Sequence, residues 1–343
     1  MSTQAVHATH AMSTTSTTPP SVPRPGTGHR ILRATALAAT LPYLTLKAAW
    51  LGGSRIGIPE GSVLLRAGAA LTVGNAVTLA MDACVILLVL VLTRPWGMRV
   101  PGWLLTVPVF VATGLLTPIV LGYPAQLLVK ALGMGAGEAA RAAREPFLEP
   151  WVFAVVYGGF IIQAIALAGL FVPYARRRWG RLWQGAPGRR LPSSTGVVAG
   201  AAALAGATAA AAQAYWAFGG TAGLPAERAA AYSAETGVVS GVHAMCAVAA
   251  AAGAVMLARG GARRARWSPA LTWIGSSAAL SWGAWTLIAV LGVNLGEDEP
   301  STTAFLLAYA DQMITGLLAG AVLVRHLRAP RGGLGRGGGR AAG

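Results

Sequence analysis

Residues 103–122 read WLLTVPVFVATGLLTPIVLG, a run of twenty without one charged side chain. A bilayer's hydrocarbon layer is about 30 Å thick and holds no water to satisfy exposed peptide groups, so a helix of roughly 20 apolar residues is what crosses it. This run extends from Trp103 to Leu132, and seven others flank it. They cover Ala34 to Leu51, Ala67 to Thr93, Trp151 to Tyr174, Thr195 to Phe218, Thr236 to Leu257, Leu271 to Asn294 and Thr303 to Val324. The expectation is an all-α bundle of eight transmembrane helices with short connections, leaving no length for a soluble catalytic or sensory domain.

Composition agrees. Of 343 residues, 55% are hydrophobic and 11% charged, with a mean hydropathy of +0.57, outside the range of ordinary soluble domains. Two cysteines exclude a disulfide framework and a tetrathiolate zinc site.

The net charge of +16 is unevenly spread. Arginines without any acid occupy alternate connections: Arg24, Arg30 and Arg33; Arg94 and Arg99; Arg176 to Arg190; Arg259 to Arg266; and Arg325 to Arg340. Nine of the 11 acids, Glu60 to Glu299, lie in the connections between. Because Lys/Arg excess marks cytoplasmic loops, both termini are expected on the cytoplasmic side, as an even number of spans requires. Nine tryptophans near span ends are expected to anchor at the headgroups, and Trp179, Leu182 and Trp183 to form a short surface helix on anionic lipid. No basic groove or aromatic platform outside the spans points to nucleic acid, so lipid accounts for the basicity.

The organisation follows: a Ser/Thr/Pro-rich cytoplasmic tail (1–30), a four-helix half (31–175), a basic linker (176–193), a second half (194–326) and a Gly/Arg tail (327–343), with both tails expected to be disordered. Behind such a tail, and without a small-residue cleavage site, the first span reads as retained rather than as a signal peptide.

The halves share sequence. WLGGSRIGIP from Trp50 is similar to WAFGGTAGLP from Trp216 with two small gaps, residues 103–122 match WIGSSAALSWGAWTLIAVLG from Trp273, and Glu149-Pro150 matches Glu299-Pro300. Two halves of four spans each enter from one side, which predicts a parallel repeat about an axis along the membrane normal.

A charge at mid-bilayer costs at least about 2.5–3.5 kcal/mol, so intramembrane polar residues are the candidates for a substrate or ion pathway. Asn75, Thr78 and Asp82 share a face of the second span; Thr236, Ser240 and His243 form a similar stripe in the sixth. Under the repeat Asp82 and His243 correspond, giving a proton-handling pair at the seam or two separate packing contacts. Asp311 and Gln312 in the eighth span and Gln163 in the fourth bind a cation or proton, or form an interhelical network around a neutral carboxyl. Lys47, a turn from its span end, is expected to snorkel. Cys84 and Cys246 read as small hydrophobes, Trp282 and Trp285 as packing or a ligand platform, and Gly196/Gly200, Gly237/Gly241 and Gly316/Gly320 as close helix contacts.

Familiar chemistry is missing. One intraspan histidine does not make a bis-histidine haem site, and there is no phosphate loop, HExxH helix or GxSxG elbow, so no cofactor, metal or catalytic residue is assigned.

LPYLTLKAAWLGG, RPWGMRVPGWLLTVPVFVATGLL and EPWVFAVVYGGF together resemble an uncharacterised family of multi-pass membrane proteins from GC-rich bacteria. That resemblance implies a plasma-membrane location and carries over no activity. The partners expected are the lipid bilayer and a small molecule or protein. The readings are a small-molecule permease with proton coupling, a non-catalytic scaffold or accessory subunit, or a lipid-modifying enzyme.

Overall fold

The computed structural model describes residues 26–66, 68–142, 147–183, 192–260, 267–294 and 301–328. The expected tails fall almost wholly outside these residues, as do the cores of the basic linker and of the Glu297–Glu299 connection. Every regular element among the described residues is helical. In chain order they are α1 (Thr27–Ala38), α2 (Leu41–Leu51), α3 (Val63–Arg66), α4 (Gly68–Thr93), a 3-10 turn (Pro95–Arg99), α5 (Gly102–Ala131), α6 (Glu138–Ala142), α7 (Pro150–Trp183), α8 (Ser193–Ala217), α9 (Ala226–Ala230), α10 (Ala234–Arg259), α11 (Ser268–Asn294) and α12 (Thr303–Arg328). Seven of these, α4, α5, α7, α8, α10, α11 and α12, are long and apolar enough to cross a membrane. The chain is a multi-pass membrane protein.

The first expected span is instead two shorter helices. Pro42 has no N–H to offer the carbonyl four residues back, and its ring crowds the preceding turn. Ala39 and Thr40 keep right-handed helical angles, while the Thr40 hydroxyl bonds the Leu37 carbonyl at 2.7 Å, so α1 and α2 meet at a kink. The three prolines inside α5 and the one inside α7 do not divide those helices.

Helix α7 runs without a break through Trp183, so the short surface helix expected around Trp179 is the end of a long one. What holds it is a latch on the 3-10 turn. Tyr174 donates to the Gly97 carbonyl at 2.9 Å, and Arg178 donates to the same carbonyl at 3.1 Å and to that of Val100. Trp179 packs edge-on to Tyr174, with ring centroids 6.2 Å apart.

Helices α8, α10, α11 and α12 close a four-helix bundle in that cyclic order. Its crossings are set by glycines. A Cβ at Gly275 would lie 2.7 Å from the Ala249 carbonyl carbon, and one at Gly283 would lie 2.8 Å from both Met313 N and Tyr309 O. Of the glycines expected to do this, Gly237 does, against the Ala217 carbonyl, and so does Gly316, with Ser276 O at 2.7 Å, but Gly196, Gly200 and Gly320 face open space. The first half is joined to this bundle through α5, which lies on α10 and α11. At that crossing a Cβ on Gly114 would meet the Ser277 backbone, and Trp282 donates to the Leu115 carbonyl at 3.1 Å.

Trp50 and Trp216 head two turns with matching bonds. Trp50 donates to the Ile56 carbonyl at 2.8 Å, and Trp216 to that of Ala222 at 3.0 Å, each six residues ahead. Gly53 and Gly57 have φ of 85° and 72°; Gly219 and Gly223, at the same offsets, have 90° and 81°. Ser54 N bonds Ala49 O and Gly220 N bonds Tyr215 O, both at 2.9 Å. The two segments therefore align without the expected gaps. These tryptophans are buried clamps rather than headgroup anchors. Trp273 is likewise turned inward, edge-on to Phe110 with centroids 5.1 Å apart, whereas Trp103, Trp151 and Trp267 are exposed.

Candidate functional site

Polar side chains inside the helices gather in two clusters, one in each half, and one acid stands apart from both.

In the first half, α2 carries Tyr43, Lys47 and Trp50 down one side. Lys47 is only 7% exposed and does not snorkel, contrary to its expected role. Its ammonium donates to Asn75 Oδ1 at 2.8 Å and lies over the rings of Tyr43 and Trp50, at 4.8 and 5.2 Å from their centroids. A cation over aromatic faces gains attraction that grows as water is removed. Asn75 belongs to α4. Asp82, on the same face two turns further along, lies roughly 10.5 Å away by helical rise and is equally buried. It is within electrostatic reach of Lys47 and Tyr43, yet its Oδ2 has no hydrogen-bond partner among the described residues. The third wall is α7. Phe160 packs edge-on against Tyr43 with centroids 5.1 Å apart, and Gln163, one turn on, is 2% exposed with an unpartnered Nε2.

The second cluster is self-contained. Gln213 of α8 donates from Nε2 to Gln312 Oε1 at 3.2 Å, and Gln312 of α12 faces His243 Nδ1 of α10 at 3.0 Å. With its oxygen already accepting, Gln312 donates to Nδ1, which places the imidazole proton on Nε2. Rings enclose the imidazole: Trp282 edge-on at 5.5 Å and Tyr309 at 6.1 Å. His243 thus pairs with Gln312 and not with Asp82: among the described residues α10 packs on α5, α8, α11 and α12, while α4 packs on α1, α2, α5 and α7.

The expected stripe in the sixth span also divides. Thr236 closes a capping box with Ser233 at the start of α10, its hydroxyl accepting from Ser233 N at 2.9 Å, so it belongs to the helix end. Thr78 bonds back to the Gly74 carbonyl at 2.9 Å.

Asp311 neighbours Gln312 in sequence but is turned roughly 100° from it around α12. It accepts from Thr208 of α8 and lines an outward groove with Leu307 and Ile314, not the bundle core. Gln213 was not singled out by sequence reading. Its signal was there: with the turns after Trp50 and Trp216 aligned, Gln213 falls on Lys47, while the burial pattern of α7 and α12 sets Gln163 on Gln312.

Among the described residues no group of three or more His, Cys, Asp or Glu is placed to hold a metal ion, and Cys84 and Cys246 are free thiols. Comparison of the chain with protein-family models, curated proteins and solved structures finds no match.

Proposed function

We propose that this protein is a small-molecule permease whose first half carries a proton-coupled pathway lined by Lys47, Asn75, Asp82 and Gln163. The observation that carries the reading is the unpartnered Asp82 Oδ2, buried in a helix of the hydrocarbon with a buried ammonium on the neighbouring helix. A charged or polar group held there without a bond costs on the order of 1–3 kcal/mol that packing alone does not return. The second half shows the alternative available to this fold: at matching positions, neutral Gln213 and Gln312 bond each other and His243. The first half places Lys47 and Asp82 inside its helices, where the second places Gln213, Gln312 and His243.

In this reading α1 and α2 together make an eighth crossing, broken at mid-depth as the discontinuous helices of many transporters are. The halves are parallel repeats, which the matched turns after Trp50 and Trp216 support. Both chain ends lie on the cytoplasmic side of a bacterial plasma membrane, supported by the alternation of basic and acidic connections.

A scaffold or accessory subunit is the second reading, favoured by the glycine-set bundle of α8, α10, α11 and α12, which is packed to the backbone.

Thiol accessibility separates them without knowledge of the solute. In a background with Cys84 and Cys246 replaced by serine, cysteines at 75, 82 and 163 react with a membrane-impermeant methanethiosulfonate if they line a watery path, and one at 312 does not. Silence at all three rejects the pathway.

A further inference from the structure

The groove beside Asp311 is built differently from either buried cluster. Its volume is about 440 Å³, and Thr208 and Ala212 of α8 form one wall while Leu307, Ala308, Asp311 and Ile314 of α12 form the other. Leu307 is 63% exposed and Ile314 44%, so the groove opens outward, to the hydrocarbon rather than to the bundle core. Asp311 lies eight residues beyond Thr303, roughly 12 Å of helix from the acid-bearing end, and this is close to the middle of a hydrocarbon layer about 30 Å thick.

A carboxyl group on an oil-facing surface at that depth is the most expensive placement for an acid in this fold, and it requires something to complement it. The chain supplies one hydroxyl, from Thr208. No Lys, Arg or His lines the groove. What the groove lacks is a charge to balance an ionised Asp311. The walls ask for something else: Ala212, Ala308, Leu307 and Ile314 offer methyl and methylene surface in a volume within the range of small-ligand sites. A second copy of this chain would bring a second Asp311 and is disfavoured by charge.

The geometry points to a lateral binding site for an amphiphilic amine that enters from the bilayer, its ammonium on Asp311 and Thr208 and its alkyl chain along Leu307 and Ile314. The ion pair forms where the local dielectric is low, so the attraction is far stronger than at a water-exposed carboxylate. The alkyl chain stays in oil throughout, and selectivity for charge over chain length follows. This site stands independently of the pathway through the first half, because it shares no residue with Lys47, Asn75, Asp82 or Gln163.

The test uses full-length protein in phosphatidylcholine nanodiscs and a fluorescent dodecylammonium probe. Saturable binding is expected, displaced by unlabelled dodecylammonium but not by dodecanol or dodecyl sulfate. Asp311→Asn weakens binding at least tenfold, and Thr208→Trp, at an exposed position that fills the groove, abolishes it while the melting temperature stays near that of the parent. Equal displacement by dodecanol overturns the proposal on the parent protein alone, whatever the variants do. Undiminished binding by Asp311→Asn overturns it also, as does a crosslink from Thr208→Cys to a second polypeptide seated in the groove.

Discussion

Gln312 bridges two helices at once, accepting from Gln213 at 3.2 Å and facing His243 Nδ1 at 3.0 Å, whereas Gln213 donates to Gln312, lies beside Tyr309, and has an Oε1 without a hydrogen-bond partner among the described residues. Position in the chain of bonds therefore sets what each glutamine contributes. Gln312→Leu removes two bonds and leaves both neighbours unsatisfied, a loss of about 1–2 kcal/mol, in keeping with the modest worth of such bonds inside membranes. Gln213→Leu removes one bond together with an orphan oxygen and costs under half as much. Thermal unfolding in detergent checks the order, and equal losses would show that the network is not arranged as described.

Glycine-to-alanine exchange should divide by helix face. Gly275→Ala and Gly283→Ala drive a methyl into a neighbouring backbone, at 2.7 and 2.8 Å, and are expected to lose about 1–3 kcal/mol. Gly196→Ala and Gly320→Ala meet nothing within 4 Å and should gain up to about 1 kcal/mol from helix propensity. Denaturation midpoints of the four variants test the split.

At the matched turns, Gly53→Ala and Gly219→Ala each force a Cβ into positive φ, at a cost of roughly 1–2 kcal/mol. Trp50→Phe and Trp216→Phe keep the ring and lose the indole bond. If the halves are repeats, the paired variants weaken the protein by similar amounts. A large effect in one turn and none in the other would count against equivalence.

Replacing Arg178 by Leu should free the end of α7, since Arg178 and Tyr174 share the Gly97 carbonyl. Hydrogen exchange in residues 174–183 is expected to speed up by about tenfold, equivalent to ~1.4 kcal/mol of lost protection, while exchange in α10 and α11 is unchanged. Uniform exchange across the protein would mean that the latch is redundant.

Much of this architecture was legible in the amino-acid order. Apart from the far end of α7, which runs on to Trp183, seven long helices begin and end within a few residues of the apolar runs, because in oil the backbone has no other way to satisfy itself. The boundary that escaped was the Thr40 kink, although Pro42 marked it; hydropathy is blind to where a helix bends. Side-chain pairing was far less visible. Asp82 and His243 read as a pair from their places in the two halves, yet His243 faces Gln312 and α10 packs on α5, α8, α11 and α12. Lys47 looked like a snorkelling residue because distance to a helix end was the only measure at hand, yet Tyr43, Trp50 and Asn75 enclose it. Asp311 and Gln312 are adjacent in sequence and face apart, as neighbours one residue apart on a helix do.

The central claim is that Asp82 exists for proton handling rather than for packing. An unsatisfied buried carboxyl weakens the fold, so Asp82→Asn should melt no lower than the parent. The decisive measurement is the internal pH of proteoliposomes loaded with an impermeant pH dye and challenged with a panel of neutral, cationic and anionic solutes. The account predicts that at least one solute moves protons in vesicles carrying the parent protein and that Asp82→Asn, equally folded and equally inserted, moves none. Proton movement of the same rate and extent with Asp82→Asn would contradict it.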